Sequence, residues 1–293
     1  IMRVFVYEPL TALGASEPNS LAPSLLAEGQ AMLDAILADF HAVPNVTILT
    51  AHSPAEFSTL ATEANYTLVI APECGGLLES LCRTALACGT TLLGPTPEAI
   101  RLTTDKFALG KHWEKCGVPT PTCWRLGEQP ADGLFVIKPR DGAGSQATRL
   151  SNLPVAEPWE GELIAQTYVD GLAVSVSFLL SPTQTLPLWP TQQILSTDGR
   201  FHYLGSQFSL TEAQRARAVA IAQQAIACVP GLAGYVGVDL VLGADGQDWA
   251  IEINPRLTTS YVLLRERCTS NLAGAMLEMA QGKMVAKLEW KSA

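Results

Sequence analysis

The sequence predicts an α/β protein: a Rossmann-like, largely parallel sheet at the amino-terminal end, followed by two smaller α+β units. Three observations predict it. Apolar strand-like runs alternate with amphipathic helical stretches over the first ~95 residues, the pattern of an open parallel sheet. The punctuation Gly94-Pro95-Thr96-Pro97 then closes that region. Beyond it come strands joined by turns, and at 293 residues with 48% hydrophobic content the chain can bury two or three cores.

Taken in order, the strand candidates of the first unit are Arg3–Tyr7, Val46–Thr50, Thr67–Ala71 and Thr91–Leu93. Gly29–Phe40 and Leu77–Ala87 carry apolar residues at three- and four-residue spacing and are expected to be helices. Leu10–Pro23, rich in Gly, Ser, Pro and Asn, reads as a loop. Ligands of open α/β sheets bind beyond the carboxyl ends of strands, so the loops after Tyr7 and Ala71 are substrate-site candidates. A helix is expected from Glu98 to about Lys115, stopping before Gly117-Val118-Pro119. Pro121–Thr167 reads as a small sheet with turns. From Gly171 the strands lengthen, with a helix over Thr211–Cys228, strands at Tyr235–Leu242 and Trp249–Ile253, and closing helices. Thr211 and Gln214 have capping-box spacing at the start of that helix. The expected units are 1–97, 98–167 and 168–293.

Composition excludes several function classes. A net charge of −9 provides no basic footprint for nucleic acid, though a few local Lys and Arg residues can still hold an anion. No apolar run approaches the ~20 residues that span a bilayer, so no membrane partner is expected. Met2–Tyr7 reads as a strand and lacks the length and cleavage site of a signal peptide. Seven cysteines are scattered without a Cys-x-x-Cys pair, and four histidines without His-Glu-x-x-His. Free thiols, no zinc cluster and a cytoplasmic location are the expectation.

Three features carry chemistry. Strand 134–137 delivers Lys138 and then a glycine-containing turn, Asp141-Gly142-Ala143-Gly144-Ser145. Backbone N–H groups in such a loop can approach phosphate oxygens, with the lysine adding a point charge. The order is neither that of a Walker A loop nor of a dinucleotide fingerprint, and a surface hairpin with an incidental lysine is the alternative. Second, strand alternation in Trp249-Ala250-Ile251-Glu252-Ile253-Asn254-Pro255-Arg256 places Ala250, Glu252 and Asn254 on one face. Carboxylate and amide oxygens so spaced suit a hard cation, and Arg256 just beyond could hold a phosphoryl or carboxylate group. Asp239 lies in the preceding apolar strand, joined by the turn Gly243-Ala244-Asp245-Gly246, so it could face Glu252 across a hairpin. Pairing of Asp239 with an arginine, leaving Glu252 in solvent, is the competing reading. Third, Thr104-Asp105-Lys106 lies on the helix after the boundary, a position that is ordinarily a solvated face.

The three features occur in the order found in the ATP-grasp superfamily, which this chain resembles over nearly its whole length. The resemblance implies a pre-ATP-grasp domain followed by two ATP-grasp subdomains, using ATP with Mg2+ or Mn2+. It makes Lys106 and Lys138 the phosphate-binding lysines and Gly142, Ala143, Gly144 and Ser145 the mobile glycine loop. Asp239, Glu252 and Asn254 become the metal ligands, and Lys138 and Arg256 the catalytic residues. Ile164-Ala165-Gln166-Thr167-Tyr168-Val169-Asp170-Gly171 resembles the hinge that receives adenine, with backbone groups near Gln166 and Val169 on the base and Tyr168 beside it. Many relatives place a ribose-binding Glu where this chain has Ala173, and Asp170 is the substitute candidate.

Within the superfamily, Leu26–Met32, Leu93-Gly94 and Glu252–Tyr261 are similar to the branch containing tyramine–glutamate ligase of methanofuran-type coenzyme biosynthesis. The partners so implied are a small carboxylate and a small amine, joined through an acyl phosphate, with a homodimer left open. Ligation or carboxylation of other substrates, and a nucleotide-binding regulatory protein without catalysis, are the alternatives.

Overall fold

The computed structural model describes residues 1–13, 23–142, 145–152 and 159–291. The first part runs β1 (Met2–Tyr7), α1 (Pro9–Leu13), α2 (Pro23–His41), β2 (Val46–Thr50), α3 (Phe57–Glu63), β3 (Tyr66–Val69), α4 (Leu77–Ala87) and β4 (Thr91–Leu92). Its strands form a parallel sheet in the order β2-β1-β3-β4. Alternate residues of β1 serve two cores. Val4 and Val6 pack with Met32, Ile36 and Phe40 of α2, whereas Phe5 and Tyr7 pack with Phe57, Leu78 and Cys82. Burial on both faces is why these strands read as nearly continuous apolar runs. The expected loop Leu10–Pro23 begins later than its composition suggested, because α1 occupies Pro9–Leu13. The Glu8 carboxylate accepts the Thr11 N–H at 2.6 Å and satisfies that short helix's start; 14–22 lie outside the described residues.

The helix expected over Glu98–Lys115 is two helices, α5 (Pro97–Thr104) and α6 (Lys106–Cys116). Asp105 separates them with extended backbone (φ −81°, ψ 94°), and its carboxylate accepts the Ala108 N–H at 2.9 Å as the N-cap of α6. An aspartate competes for backbone donors in this way, so an unbroken apolar periodicity does not guarantee an unbroken helix.

The strands β5 (Cys123–Arg125), β6 (Phe135–Pro139), β7 (Arg149–Ser151) and β8 (Leu163–Thr167) form an antiparallel sheet in the order β5-β8-β6-β7. The remainder comprises β9 (Leu172–Ser181), β10 (Gln184–Pro187), β11 (Thr191–Leu195), β12 (Tyr203–Gln207), α7 (Glu212–Ala227), β13 (Gly234–Leu242), β14 (Asp248–Asn254), α8 (Ser260–Arg267) and α9 (Leu272–Ala280). The third sheet runs β12-β11-β9-β13-β14, with β10 paired to β9. Its apolar face (Val174, Val176, Phe178, Val236, Val238, Leu240) packs on Ala218, Ile221, Ala222 and Ala225 of α7. Thr211 and Gln214 form the capping box that starts this helix.

The closing helices return to the first sheet. Tyr261, Leu264, Leu272 and Met276 share one core with Val4, Ile36 and Phe40. Asp39 at the end of α2 accepts from Tyr261 Oη and from Arg265 at 2.7 Å. The amino-terminal sheet is therefore covered on one side by residues more than two hundred positions away.

Candidate active site

Asp239 and Glu252 are register partners across β13 and β14, with Gly237 opposite Asn254. One correction to the alternation follows. The register passes from Asp239↔Glu252 to Leu240↔Ala250, so Ile251 is an extra residue, a β-bulge. Ala250 therefore leaves the expected face and lies in the core with Ile253 and Leu240. Glu252 and Asn254 stay on the face of Asp239, which Ser175 and Ser177 of β9 extend. Asp239 accepts from Gln193 Nε2 at 3.0 Å and from Asn254 Nδ2 at 3.1 Å. Burial, followed by repulsion from Glu252, pushes its carboxyl up to about 7.

Two lysines converge on this pair. Lys106 opens α6 because Asp105 caps that helix; its Nζ lies 3.5 Å from Glu252 Oε2 and donates to the Gly142 carbonyl at 2.7 Å. Lys138 is buried on the face of the central sheet shared with Cys123 and Gln166, opposite the Phe135, Ile137 and Ala165 core. Burial pushes its ammonium below the usual value, and Glu252 partly counters that. Burial would raise Glu252, but Lys106 and Lys138 hold it below the ordinary carboxylate range. The start of α6 is tied to the central sheet by the fork of Arg140 on Asp105, 2.8 Å and 2.6 Å, and by the Lys106 N–H on the Arg140 carbonyl.

The donor chemistry fits a hard divalent cation. Two facing carboxylates and the amide oxygen of Asn254 offer only oxygen ligands, and a bound cation would relieve both the burial cost and the repulsion from Glu252 that raise Asp239.

The glycine loop is described at its two ends. The Asp141 carboxylate accepts the Gly75 N–H at 3.0 Å, joining this loop to the one after β3. Ser145 has a left-handed backbone (φ 55°) and donates its hydroxyl to the Phe201 carbonyl at 2.9 Å. Ala143 and Gly144 lie outside the described residues. At the hinge, Gln166 sits within the ladder between Cys123 and Val136, and its side chain donates to the Pro121 carbonyl at 3.4 Å. The Tyr168 N–H is donated to Leu134 O, Tyr168 Oη donates to Asp170 at 3.2 Å, and Val169 is half-buried between them. Gly171 lets β9 start against the end of β13: a Cβ there would lie 2.4 Å from the Leu242 carbonyl oxygen. Ala173 pairs with Val241.

Arg256 reaches the loop after β3. Its Nε lies 3.0 Å from Glu73 Oε1, while an Nη donates to the Leu257 carbonyl at 3.0 Å. Glu73 is 6% exposed and its Oε2 has no hydrogen-bond partner among the described residues. Burial raises the carboxyl of Glu28 of α2, and the positive charge of Arg256 in its vicinity partly counters that. Beside Glu73, a cavity of about 640 Å³ is bordered by Gly75, Thr104, Asp105, Arg140 and Asp141. Sequence reasoning identified the loop 72–76 after Ala71, which contains Glu73, but assigned no role to that carboxylate or to Glu28, Ser175 or Gln193. The serines carried a signal, since Ser175 and Ser177 alternate with Val174, Val176 and Phe178 along β9.

Comparison with known proteins gives the family. The ATP-grasp domain model matches residues 103–260, and the pre ATP-grasp 3 domain model matches residues 30–100. A tyramine–L-glutamate ligase of Methanocaldococcus jannaschii is 29% identical over 201 residues, covering 69% of this chain and 58% of that protein, so the chain spans little over half of this relative. A second, from Methanocaldococcus fervens, is 26% identical over 292 residues, covering 91% and 92% respectively. The solved structure of an ATP-grasp superfamily protein from Archaeoglobus fulgidus superposes with a TM-score of 0.77 at 26% identity, over 98% of this chain and 90% of that one. Two domain models that follow one another along the sequence, and a fold shared almost end to end, establish that this chain belongs to the ATP-grasp family.

Proposed function

We propose that this ATP-grasp ligase joins the side-chain carboxylate of glutamate to an arylethylamine through an acyl-phosphate intermediate. The observation that carries the reading is the convergence of Lys106 and Lys138 on the Asp239–Glu252 pair, with Arg256 beyond it. The names of the two archaeal relatives support the choice of substrates.

In this reading 1–97 form the pre-ATP-grasp domain, 98–167 the central subdomain and 168–293 the carboxyl-terminal subdomain. Lys106, Lys138 and the loop Gly142, Ala143, Gly144 and Ser145 gather the triphosphate; the hinge Gln166, Tyr168, Val169 and Asp170 receives the nucleoside. Asp239, Glu252 and Asn254 would hold Mg2+ or Mn2+, which neutralises phosphate charge when bound. The substrate carboxylate attacks the γ-phosphorus in line and ADP leaves, its charge held by the two lysines. Arg256 steadies the acyl phosphate while the free amine attacks its carbonyl and phosphate departs. Glu73 on Arg256, with Glu28 in the vicinity of the same charge, leaves a negative excess suited to a substrate ammonium group. Loss of the acyl phosphate to water is limited by closing the glycine loop, whose Asp141 end is anchored at Gly75.

ADP release measured with glutamate plus tyramine against other acid–amine pairs, with mass spectrometry of the amide, tests the assignment. Turnover with another pair alone overturns the substrates and keeps the reaction class. The residue at the usual ribose-binding position, Ala173, favours a second reading as a nucleotide-binding protein without catalysis. Magnesium-dependent ATP binding without ADP from any pair would establish that second reading.

A further inference from the structure

We propose that His112, Cys116 and Cys228 form a zinc site that ties the end of α6 to the end of α7. This departs from the expectation of free thiols without a zinc cluster, because the three residues are scattered along the chain. His112 and Cys116 are four residues apart and so lie on one face of α6, one turn apart. Cys228 is the C-cap residue of α7 and comes to the same place. One ligand atom from each of the three lies within 4.8 Å of the others. Cys116 Sγ is 3.7 Å from His112 Nε2, and the Cys116 and Cys228 sulfurs lie within 4.8 Å of each other. Ligands of a tetrahedral zinc, with bonds of about 2.3 Å to sulfur and about 2.0 Å to nitrogen, stand roughly 3.5–3.8 Å apart.

Two thiolates and an imidazole select zinc over the hard cation suited to Asp239 and Glu252, so the two sites do not compete for one metal. Binding displaces two thiol protons to solvent and involves no change of oxidation state. His112 Nε2 lies 2.7 Å from the Cys228 carbonyl oxygen, a hydrogen bond that already holds the ring at the end of α7 and is exchanged for the metal bond. Cys116 is exposed, so water can complete the fourth position. A disulfide would use the two thiols but would leave the convergence of the imidazole unexplained. The zinc tie would fix the far end of the helix that begins with Lys106.

The test is titration of the reduced, metal-stripped full chain with Co2+ in excess Mg2+, which occupies carboxylate sites. Thiolate-to-cobalt charge transfer reports sulfur ligation and is silent for oxygen ligands. One equivalent per chain is expected, displaced by Zn2+. Cys116→Ser and Cys228→Ser should each abolish the band, and His112→Ala should weaken zinc by more than the roughly 10–100-fold typical of losing an outer-shell partner. Cys88→Ser should leave the titration unchanged. Zinc should raise the melting temperature of the parent chain but not of the two serine variants. A charge-transfer band that survives in the Cys116→Ser/Cys228→Ser chain overturns the proposal. So does a 116–228 disulfide in peptide maps of protein alkylated at lysis.

Discussion

Asp239 and Glu252 stand opposite each other in the β13–β14 ladder, and the extra residue Ile251 turns Ala250 away from the face they share with Asn254. The pair balances unequally because Lys106 and Lys138 act on Glu252. Asp239 is left as the carboxylate for which burial is the larger problem. Asp239→Asn should therefore raise the melting temperature of the magnesium-free protein while reducing ADP release by about 10²-fold or more. Glu252→Gln should reduce turnover similarly but lower the melting temperature, since it leaves the buried Lys138 and the part-buried Lys106 without this acid. Calorimetry without magnesium and a coupled ADP assay read the two effects separately.

Lys138 and Lys106 divide the phosphate site between a strand and a helix start, and their replacement should not be equivalent. Lys138 is buried, so Lys138→Met keeps its bulk and removes a charge that burial disfavours, while Lys106 still faces Glu252. Its thermal stability should match or exceed that of the parent, with ADP release reduced by roughly 10²-fold or more. Lys106→Met also frees the Gly142 carbonyl that fastens the glycine loop. Limited proteolysis should then show faster cleavage near that loop, a change absent from Lys138→Met.

Arg256 and Glu73 separate acyl transfer from nucleotide binding. Arg256→Lys keeps the positive charge beside Glu73 but loses the planar fork, so ATP binding should persist while amide formation falls by about 10²-fold. Arg256→Ala should in addition lower stability by about 3–5 kcal/mol, because it strands a carboxylate that is 6% exposed. Equilibrium binding of an ATP analogue, product mass spectrometry and urea unfolding distinguish these outcomes. Equal loss of ATP binding and amide formation in Arg256→Lys would remove the acyl-phosphate role.

Local pattern made much of this molecule legible. The strands of the first sheet, the capping box at Thr211 and the hairpin that brings Asp239 to Glu252 depend on short-range periodicity and turn residues. The missed features have a different origin. The break at Asp105 interrupts a helical pattern that continues on both sides, and only the carboxylate's capping of Ala108 reveals it. The Ile251 bulge alters which face Ala250 occupies without altering the apolar character of the strand. Glu73 with Arg256, Glu28 with the same arginine, and His112 with Cys228 are brought near each other by tertiary packing, so spacing along the chain carries no trace of them.

Asp39 gives a measure of how firmly the closing helices hold the first sheet. Its carboxylate accepts from Tyr261 and Arg265, and its carbonyl accepts from Asn271 at 2.8 Å. Tyr261→Phe removes one donor and keeps the ring in the shared core, so it should cost about 1–2 kcal/mol in urea unfolding. Amide exchange should quicken in both α2 and α8, because one network joins them. Exchange that changes in α8 alone would show that the first sheet does not depend on the closing helices.

Asp105 links the phosphate site to acid stability, and the sign of its effect can be worked out. Burial would raise its carboxyl, but the Arg140 fork and the Ala108 N–H hold it below the usual value. An acid depressed in the folded state contributes stability above its unfolded pKa of about 3.9, and loses it as pH falls through the lower folded value. Asp105→Asn should therefore be less stable than the parent at pH 7, with the gap closing below about pH 4. The N-cap accounts for about 1 kcal/mol at most, since asparagine also caps, and the part-exposed ion pair for less than about 1 kcal/mol. Urea midpoints across pH 3–8 check the trend. A gap that widens on acidification would mean that Asp105 is not held ionised by Arg140. Because Lys106 follows directly in α6, the same variant should also raise the ATP concentration needed for half-maximal ADP release at pH 7, where Arg140 keeps Glu162 but loses the charged partner that ties it to α6.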